Sequence, residues 1–359
     1  MTLVKDHATL TQYLIEQRRH HPDATGDFNE LVLAISLAAK RIAREVAHGP
    51  LAGIGEAVGN VNVQGEDQKA LDVVANEVFV RTLEWTGVLA GFASEEMDDP
   101  LPVSAEFPRG KYLLVFDPLD GSSNLDVNVS VGSIFSVLRL DDSSAEPTVD
   151  DFLQPGNTQV AAGYAIYGPS TQLVLTVGRG VAGFTLDPEI GEFILTQPDI
   201  RVPESTCEFA INTSNSRFWE APVQRYVSEC LEGRIGPRGK DFNMRWIASL
   251  VAEAHRILSR GGVFLYPRDS KDLAKPGRLR LLYECNPIGM IVEQAGGRAS
   301  TGEGPVLDVQ PTSLHQRIGF VFGSAAEVER IERYHAEMPE EPDDETPLFN
   351  TRGLFRLPV

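Results

Sequence analysis

Eight consecutive residues, Asp117-Pro118-Leu119-Asp120-Gly121-Ser122-Ser123-Asn124, hold the densest chemistry in this chain. Asp117 and Asp120 stand three apart, so a tight turn after the apolar run 112–116 can aim hard oxygen ligands at one divalent cation or at two neighbouring ones. Gly121, Ser122 and Ser123 then offer small residues whose N–H groups can converge on an anion, especially where a helix begins. Two aspartates beside a glycine are also an ordinary turn, but the whole string is far more specific. Glu95 and Glu96 follow a short apolar stretch, 87–92, that reads as a strand able to lie beside the one ending at Asp117. Four carboxylates would then meet, and such a cluster repels itself without a metal. Adjacent glutamates can divide the work, one ligating and the other taking a proton from water. Asp72 is either a helix-surface acid or a partner that tunes Glu96. Glu284 interrupts the apolar stretch 281–287 and requires a partner, a metal or a helix start. No cluster of His or Cys accompanies these acids, which favours Mg²⁺ or Mn²⁺ over structural zinc.

The elements that must position these residues alternate in type. Helical spacing marks 10–17, 28–46 and 71–85, and the amphipathic run 245–260 stops at Gly261-Gly262. Strand signals fall at 112–116, 134–140, 161–167, 173–177, 181–186, 192–196 and 263–266, with hairpin turns that imply a largely antiparallel sheet. Residues 49–68 are rich in glycine and read as a mobile loop, and the glycines at 53, 55 and 59 miss dinucleotide-binding spacing. A domain boundary is expected near residue 200, giving an N-terminal domain 1–200, a C-terminal domain 201–336 and an acidic, Pro-rich tail 337–359.

Composition narrows the class. The 359 residues are 42% hydrophobic, enough for one large core or two ordinary ones. There are 32 Lys and Arg against 51 Asp and Glu, a net charge of −19 that repels phosphate backbones and anionic lipid, so neither nucleic acid nor membrane is an expected partner. Three cysteines without CxxC spacing argue against a disulfide framework and fit a reducing cytoplasm. No apolar run approaches membrane-spanning length.

On these motifs the sequence resembles class I fructose-1,6-bisphosphatase, within the lithium-sensitive, magnesium-dependent phosphomonoesterases. The glutamate pair and DPLDGSSN mark the wider group. The narrower family is carried by the stretches LDVVAN at 71–76, GKYLLVFDPLDGSSNLDVNVSVGSIF at 110–135, LQPGNTQVAAGYAIYG at 153–168, LDPEIGEFIL at 186–195, GGVFLYP at 261–267 and LRLLYECNPIGMIVEQAGGRASTG at 279–302. The resemblance spans 10–335 and implies an α/β protein: a layered α/β/α/β/α sugar-phosphatase fold with two mixed or antiparallel sheets, an N-terminal regulatory half and a homotetrameric assembly.

It further implies hydrolysis of the 1-phosphate of fructose 1,6-bisphosphate, with about two or three Mg²⁺ ions per subunit and Mn²⁺ as the alternative. Metals would be held by Glu95, Asp117, Asp120, Glu284 and the Leu119 carbonyl, and by Glu66 or Asp67 from the glycine-rich loop. Glu96, supported by Asp72, would accept the proton of the attacking water. Gly121, Ser122 and Ser123, with Asp120, would receive the 1-phosphate end. Asn212, Tyr266 and Arg278, with Arg245 from a neighbouring subunit, would hold the 6-phosphate. AMP is the inhibitor the resemblance implies, at Thr25, Gly26 and Asp27 with Lys111, Tyr112 and Arg139. Arg278 stands where a lysine is usual and Trp246 where a tyrosine is, which alters the geometry of phosphate contact. A sedoheptulose 1,7-bisphosphatase and a nucleotide sensor without catalysis are the rival readings, and the five intact carboxylates weigh against the sensor.

Overall fold

The computed structural model describes residues 8–19, 26–52, 57–61, 67–141, 146–271 and 276–337. Helices α1 (Leu10–Arg18) and α2 (Asp27–His48) open the chain, followed by strands β1 (Ala57–Val61) and β2 (Asp67–Lys69) and helix α3 (Ala70–Leu83). Next come β3 (Leu89–Ser94), β4 (Leu101–Pro102), β5 (Tyr112–Asp120) and β6 (Val131–Arg139), then the short α4 (Val149–Phe152) and β7 (Ala161–Tyr167), β8 (Thr171–Thr176), β9 (Ala182–Asp187) and β10 (Glu192–Gln197). The remainder runs β11 (Glu208–Ile211), α5 (Ala221–Leu231), β12 (Asn243–Met244), α6 (Leu250–Arg260), β13 (Val263–Tyr266), β14 (Leu279–Arg280), α7 (Asn286–Gln294), β15 (Arg298–Ser300), β16 (Arg317–Ile318), β17 (Phe320–Gly323) and α8 (Ala325–Glu337).

An eight-stranded sheet takes the order β10-β9-β8-β7-β6-β5-β3-β4 and is antiparallel except between β3 and β5. A five-stranded mixed sheet takes the order β12-β11-β13-β17-β15. Period-two alternation buries both faces of each sheet. From β7, Ala161, Ala165 and Tyr167 pack under α1, α2 and α3, while Ala162, Tyr164 and Ile166 pack against α6 and α7. Phe264, Phe320 and Phe322 of the second sheet meet the same two helices from the other side, and its Val263, Leu265 and Val321 face α5 and α8. The result is five layers, α/β/α/β/α, as the family resemblance implies. No helix among the described residues is long and apolar enough to cross a membrane.

Two expectations need correction. The glycine-rich segment 49–68 is not all loop: β1 pairs antiparallel with β2, since sparse side chains do not prevent backbone pairing. Helix α6 begins at Leu250, not at 245. Residues 243–244 pair with β11, the Arg245 N–H donates to the Phe209 carbonyl at 2.8 Å, and Ala248 has φ +62°, so no helical path runs through this stretch. Thr25 and Glu66 lie outside the described residues, as does 338–359 of the tail.

Candidate active site

Strand β5 is buried along all nine residues, and its apolar part fixes where the carboxylates emerge. Pairing with β6 slips between Asp117, opposite Ile134, and Asp120, opposite Gly132. The extra residue makes a bulge, a place where Pro118 can lack a ladder donor. The Ser133 hydroxyl secures it by donating to the Pro118 carbonyl at 2.7 Å. Gly121 follows with φ +79°, a left-handed conformation that favours glycine; a Cβ there would also stand 2.8 Å from the Ser249 hydroxyl oxygen. A 3₁₀ turn, Ser122–Val127, then begins.

Because β3 and β5 run parallel, their C-terminal ends reach the same edge of the sheet. Ser94 lies opposite Phe116, and the Glu95 N–H donates to the Phe116 carbonyl at 3.2 Å, which sets Glu95 beside Asp117. Glu284 arrives on a π-turn, Leu281–Cys285, whose five residues are all buried. Oxygen atoms of Asp117, Asp120 and Glu284 lie within 4.8 Å of one another.

Burial dominates the electrostatics. Desolvation, followed by the charges of Glu95, Asp120 and Glu284, pushes Asp117 well above the carboxylate range. Asp120 rises to about 6, again by desolvation, although the Val251 N–H at 2.7 Å favours its anion. Glu284 rises to about 8 by desolvation, opposed by Arg280. Asp72 rises to about 6 on burial, opposed by the Lys69 N–H, which it accepts at 2.8 Å at the start of α3. Buried anions that resist ionisation, with oxygen donors only, fit a divalent cation.

All these groups line one pocket of about 780 Å³, which also holds Glu96 at its half-exposed margin, the Leu119 backbone and Gly121, Ser122 and Ser123. Asn212, Tyr266 and Arg278 line the same pocket, so the structure brings together every described residue expected at the metal, 1-phosphate and 6-phosphate positions except Arg245 and Asp67. Arg245 is exposed and its Nε lies 3.4 Å from Glu208, away from the pocket of its own chain. Asp67 belongs to β2, and its side chain is outside what the structure describes.

Two groups in the pocket, Arg280 and Arg317, escaped the sequence reading. Arg280 places Nη2 2.7 Å from Glu95 and Nη1 3.8 Å from Glu284, so a resident cation bridges the acids; its position four residues before Glu284 was the available signal. Arg317 comes from a strand too short to show a pattern. Trp246 stacks on Phe264 at 5.7 Å and on Tyr266 at 5.9 Å, forming an aromatic wall.

The residues expected at the nucleotide position gather at the other end of β5. The Asp27 carboxylate pairs with Lys111 at 2.7 Å, the Lys111 ammonium sits 5.5 Å from the Tyr112 ring centre, and Tyr112 lies opposite Arg139 in the ladder. Gly26, with φ +99°, leads into α2.

Comparison with known proteins gives a consistent answer. A family model described as fructose-1-6-bisphosphatase, N-terminal domain, matches residues 8–198, and one described as its C-terminal domain matches 202–336. The chain is 72% identical over 349 residues, 97% of each chain, to a fructose-1,6-bisphosphatase class 1 of Hydrogenophilus thermoluteolus. It is 62% identical over 348 residues, again 97% of each, to one of Methylibium petroleiphilum. Among solved structures, Leishmania major fructose-1,6-bisphosphatase in holo form is 39% identical, with a TM-score of 0.85 over 92% of this chain and 99% of that one. The same enzyme in its T-state gives 0.81 at the same identity and coverage.

Proposed function

The chain belongs to the fructose-1,6-bisphosphatase family, and from that premise we propose that it hydrolyses the 1-phosphate of fructose 1,6-bisphosphate, leaving fructose 6-phosphate and phosphate. The observation that carries this reading is a single pocket lined both by a buried cluster of carboxylates and by guanidinium, phenol and amide groups. A molecule with two phosphates then has one place for each.

The family uses a divalent metal, and the acidic end suits one. Glu95, Asp117, Asp120, Glu284 and the Leu119 carbonyl would hold it, with Glu66 or Asp67 contributing, and Mg²⁺ in two or three copies is our assignment. A bound divalent ion supplies positive charge for these acids and for the phosphoryl oxygens. Around it the chain's own groups divide the work. Glu96 takes the proton of the water whose oxygen bonds to the 1-phosphorus, as the bond from phosphorus to the sugar oxygen breaks and that oxygen takes a proton from solvent water. Asp72, fixed by the Lys69 N–H, lines the same pocket and is the partner we assign to Glu96. Gly121, left-handed and packed against Ser249 where a Cβ would stand, turns the chain so that the backbone N–H groups of Ser122 and Ser123 can serve the phosphoryl group. Arg280 gives the acids a positive partner of their own.

The division at residue 200 is supported by where the two family models meet, between 198 and 202. A homotetramer and inhibition by AMP at Gly26, Asp27, Lys111, Tyr112 and Arg139 complete the reading, supported by the gathering of these side chains at the α2 entrance. An AMP phosphate would have to compete with Asp27 for Lys111. Three free cysteines support a cytoplasmic location.

The test is phosphate release from fructose 1,6-bisphosphate with Mg²⁺, in wild type and Glu96→Gln. We expect Mg²⁺-dependent turnover in the wild type and a loss of about a thousandfold in kcat with KM little changed in the variant. A variant that keeps most of the wild-type rate removes Glu96 from the proton transfer. A wild type that releases no phosphate overturns the function.

A further inference from the structure

Resting on the bisphosphate reading, we propose that Glu253, which does not line the pocket, is a positioning residue for its aromatic wall: the Glu253 carboxylate fixes the chain on both sides of Trp246. Glu253 lies in the first turn of α6 and is fully buried. A carboxylate in such a place needs partners, because removing it from water is costly. Its two oxygens have separate ones. Oε1 accepts the Ile247 N–H at 2.7 Å, and Oε2 accepts Arg256 Nε at 3.0 Å. Arg256 donates in turn from Nη1 to Glu208 at 2.8 Å, and the other Glu208 oxygen lies 3.4 Å from Arg245 Nε. This chain of charges leaves the backbone at residue 247 and returns to it at 245, with Trp246 between.

Helix capping does not account for the arrangement. In a capping box a side chain in the first turn accepts the N–H of the N-cap residue. Here the N-cap is Ser249, and Glu253 reaches two residues further back. The first turn has its own acceptor in Asp120, which takes the Val251 N–H at 2.7 Å. What Glu253 holds is therefore the approach to the helix. Ala248 in that approach has φ +62°, uncommon for a residue with a Cβ, and such a conformation persists only where its surroundings determine it. The Asn124 amide holds the Ala248 carbonyl at 2.8 Å, and Glu253 holds the N–H of the residue before it.

The outcome is an indole set in place. Trp246 lines the pocket and stacks on Tyr266 with an interplanar angle of 13°. The carboxylates are placed by other elements, the ends of β3 and β5 and the π-turn. Loss of Glu253 should therefore weaken substrate binding more than it slows the chemistry.

The experiment compares Glu253→Met with Glu253→Gln on fructose 1,6-bisphosphate with Mg²⁺. Both side chains match glutamate in length, and only glutamine keeps an oxygen for the Ile247 N–H. We expect Glu253→Met to raise KM about tenfold with kcat lowered less than about threefold, and Glu253→Gln to stay within about threefold of the wild-type KM. In a Trp246→Ala background, Glu253→Met should raise KM by less than about twofold, since the group it positions is gone. An unchanged KM in folded Glu253→Met, or a rise of about tenfold in the Trp246→Ala background as well, overturns the proposal. The tether is also read without variant or substrate: hydrogen exchange at residue resolution should show the wild-type Ile247 amide exchanging about a hundredfold or more slowly than an unprotected amide. Exchange at the unprotected rate overturns the proposal even if Glu253→Met does not fold. A wild type that protects Ile247 but does not hydrolyse the bisphosphate sinks the functional reading instead.

Discussion

In the acidic part of the pocket Glu95, Asp117, Asp120 and Glu284 are buried and crowded carboxyl groups, and they come from two parallel strand ends and a π-turn. In the basic part Asn212, Tyr266, Arg278 and Arg317 are partly open to solvent and come from four separate places in the C-terminal part of the chain. The acidic end is self-repelling, so it depends on cations and leaves little freedom in which residues can occupy it. The basic end is stable in itself, since each of its groups can be solvated or stacked. Chemistry is therefore fixed at one end, and the choice of substrate can drift at the other.

This contrast can be broken most forcefully at Asp120, which serves both the acid cluster and the fold. Its carboxylate accepts the Val251 N–H at 2.7 Å and the Ser249 hydroxyl at 3.2 Å, so it caps α6 while it faces Asp117 and Glu284. Asp120→Asn should lower turnover about a thousandfold or more, because an anionic ligand is lost. The amide oxygen can still cap the helix and one repelling charge is gone, so the thermal midpoint in EDTA should not fall below wild type. Calorimetry in EDTA checks this. A clear drop would mean that the ionised carboxylate stabilises the metal-free fold and that the cluster is not self-repelling.

A smaller effect sharpens the same point. Burial raises Asp120 to about 6 and Glu284 to about 8, and raises Asp117 too, whereas carboxyls in the unfolded chain titrate near roughly 4. Between roughly pH 4 and 8 the metal-free folded state holds more protons than the unfolded chain, so these groups make stability fall as pH rises. Mg²⁺ requires the ionised forms and should reverse that trend. The rise in melting midpoint on adding Mg²⁺ should be larger at pH 8 than at pH 6, by about several degrees. Equal shifts at both pH values would show that no proton is displaced.

The two ends also differed in how much the sequence disclosed. DPLDGSSN is contiguous, so the turn that carries Asp117 and Asp120 could be read directly, and an apolar stretch before each acid suggested that β3 lies beside β5, although not that the two run parallel. The strand pattern disclosed the largely antiparallel sheet, and the five-layer arrangement came from the family resemblance. Arg280 was not legible, since its pairing with Glu95 forms only when the end of β3 and the π-turn meet in the fold, its spacing from Glu284 being the one local signal. The start of α6 was misplaced because helical spacing continues upstream through Ile247. What stops the helix is tertiary: the Asn124 side-chain amide donates to the Ala248 carbonyl at 2.8 Å, and Asp120 caps the first turn. Local periodicity carries no trace of either contact.

The most direct measurement is the identity of the product. Phosphorus NMR of a fructose 1,6-bisphosphate digest with Mg²⁺ should show the 1-phosphate resonance replaced by inorganic phosphate while the 6-phosphate persists. Fructose 1-phosphate as the product would put the 6-phosphate at the carboxylates and reverse the two ends, contradicting the account at its centre.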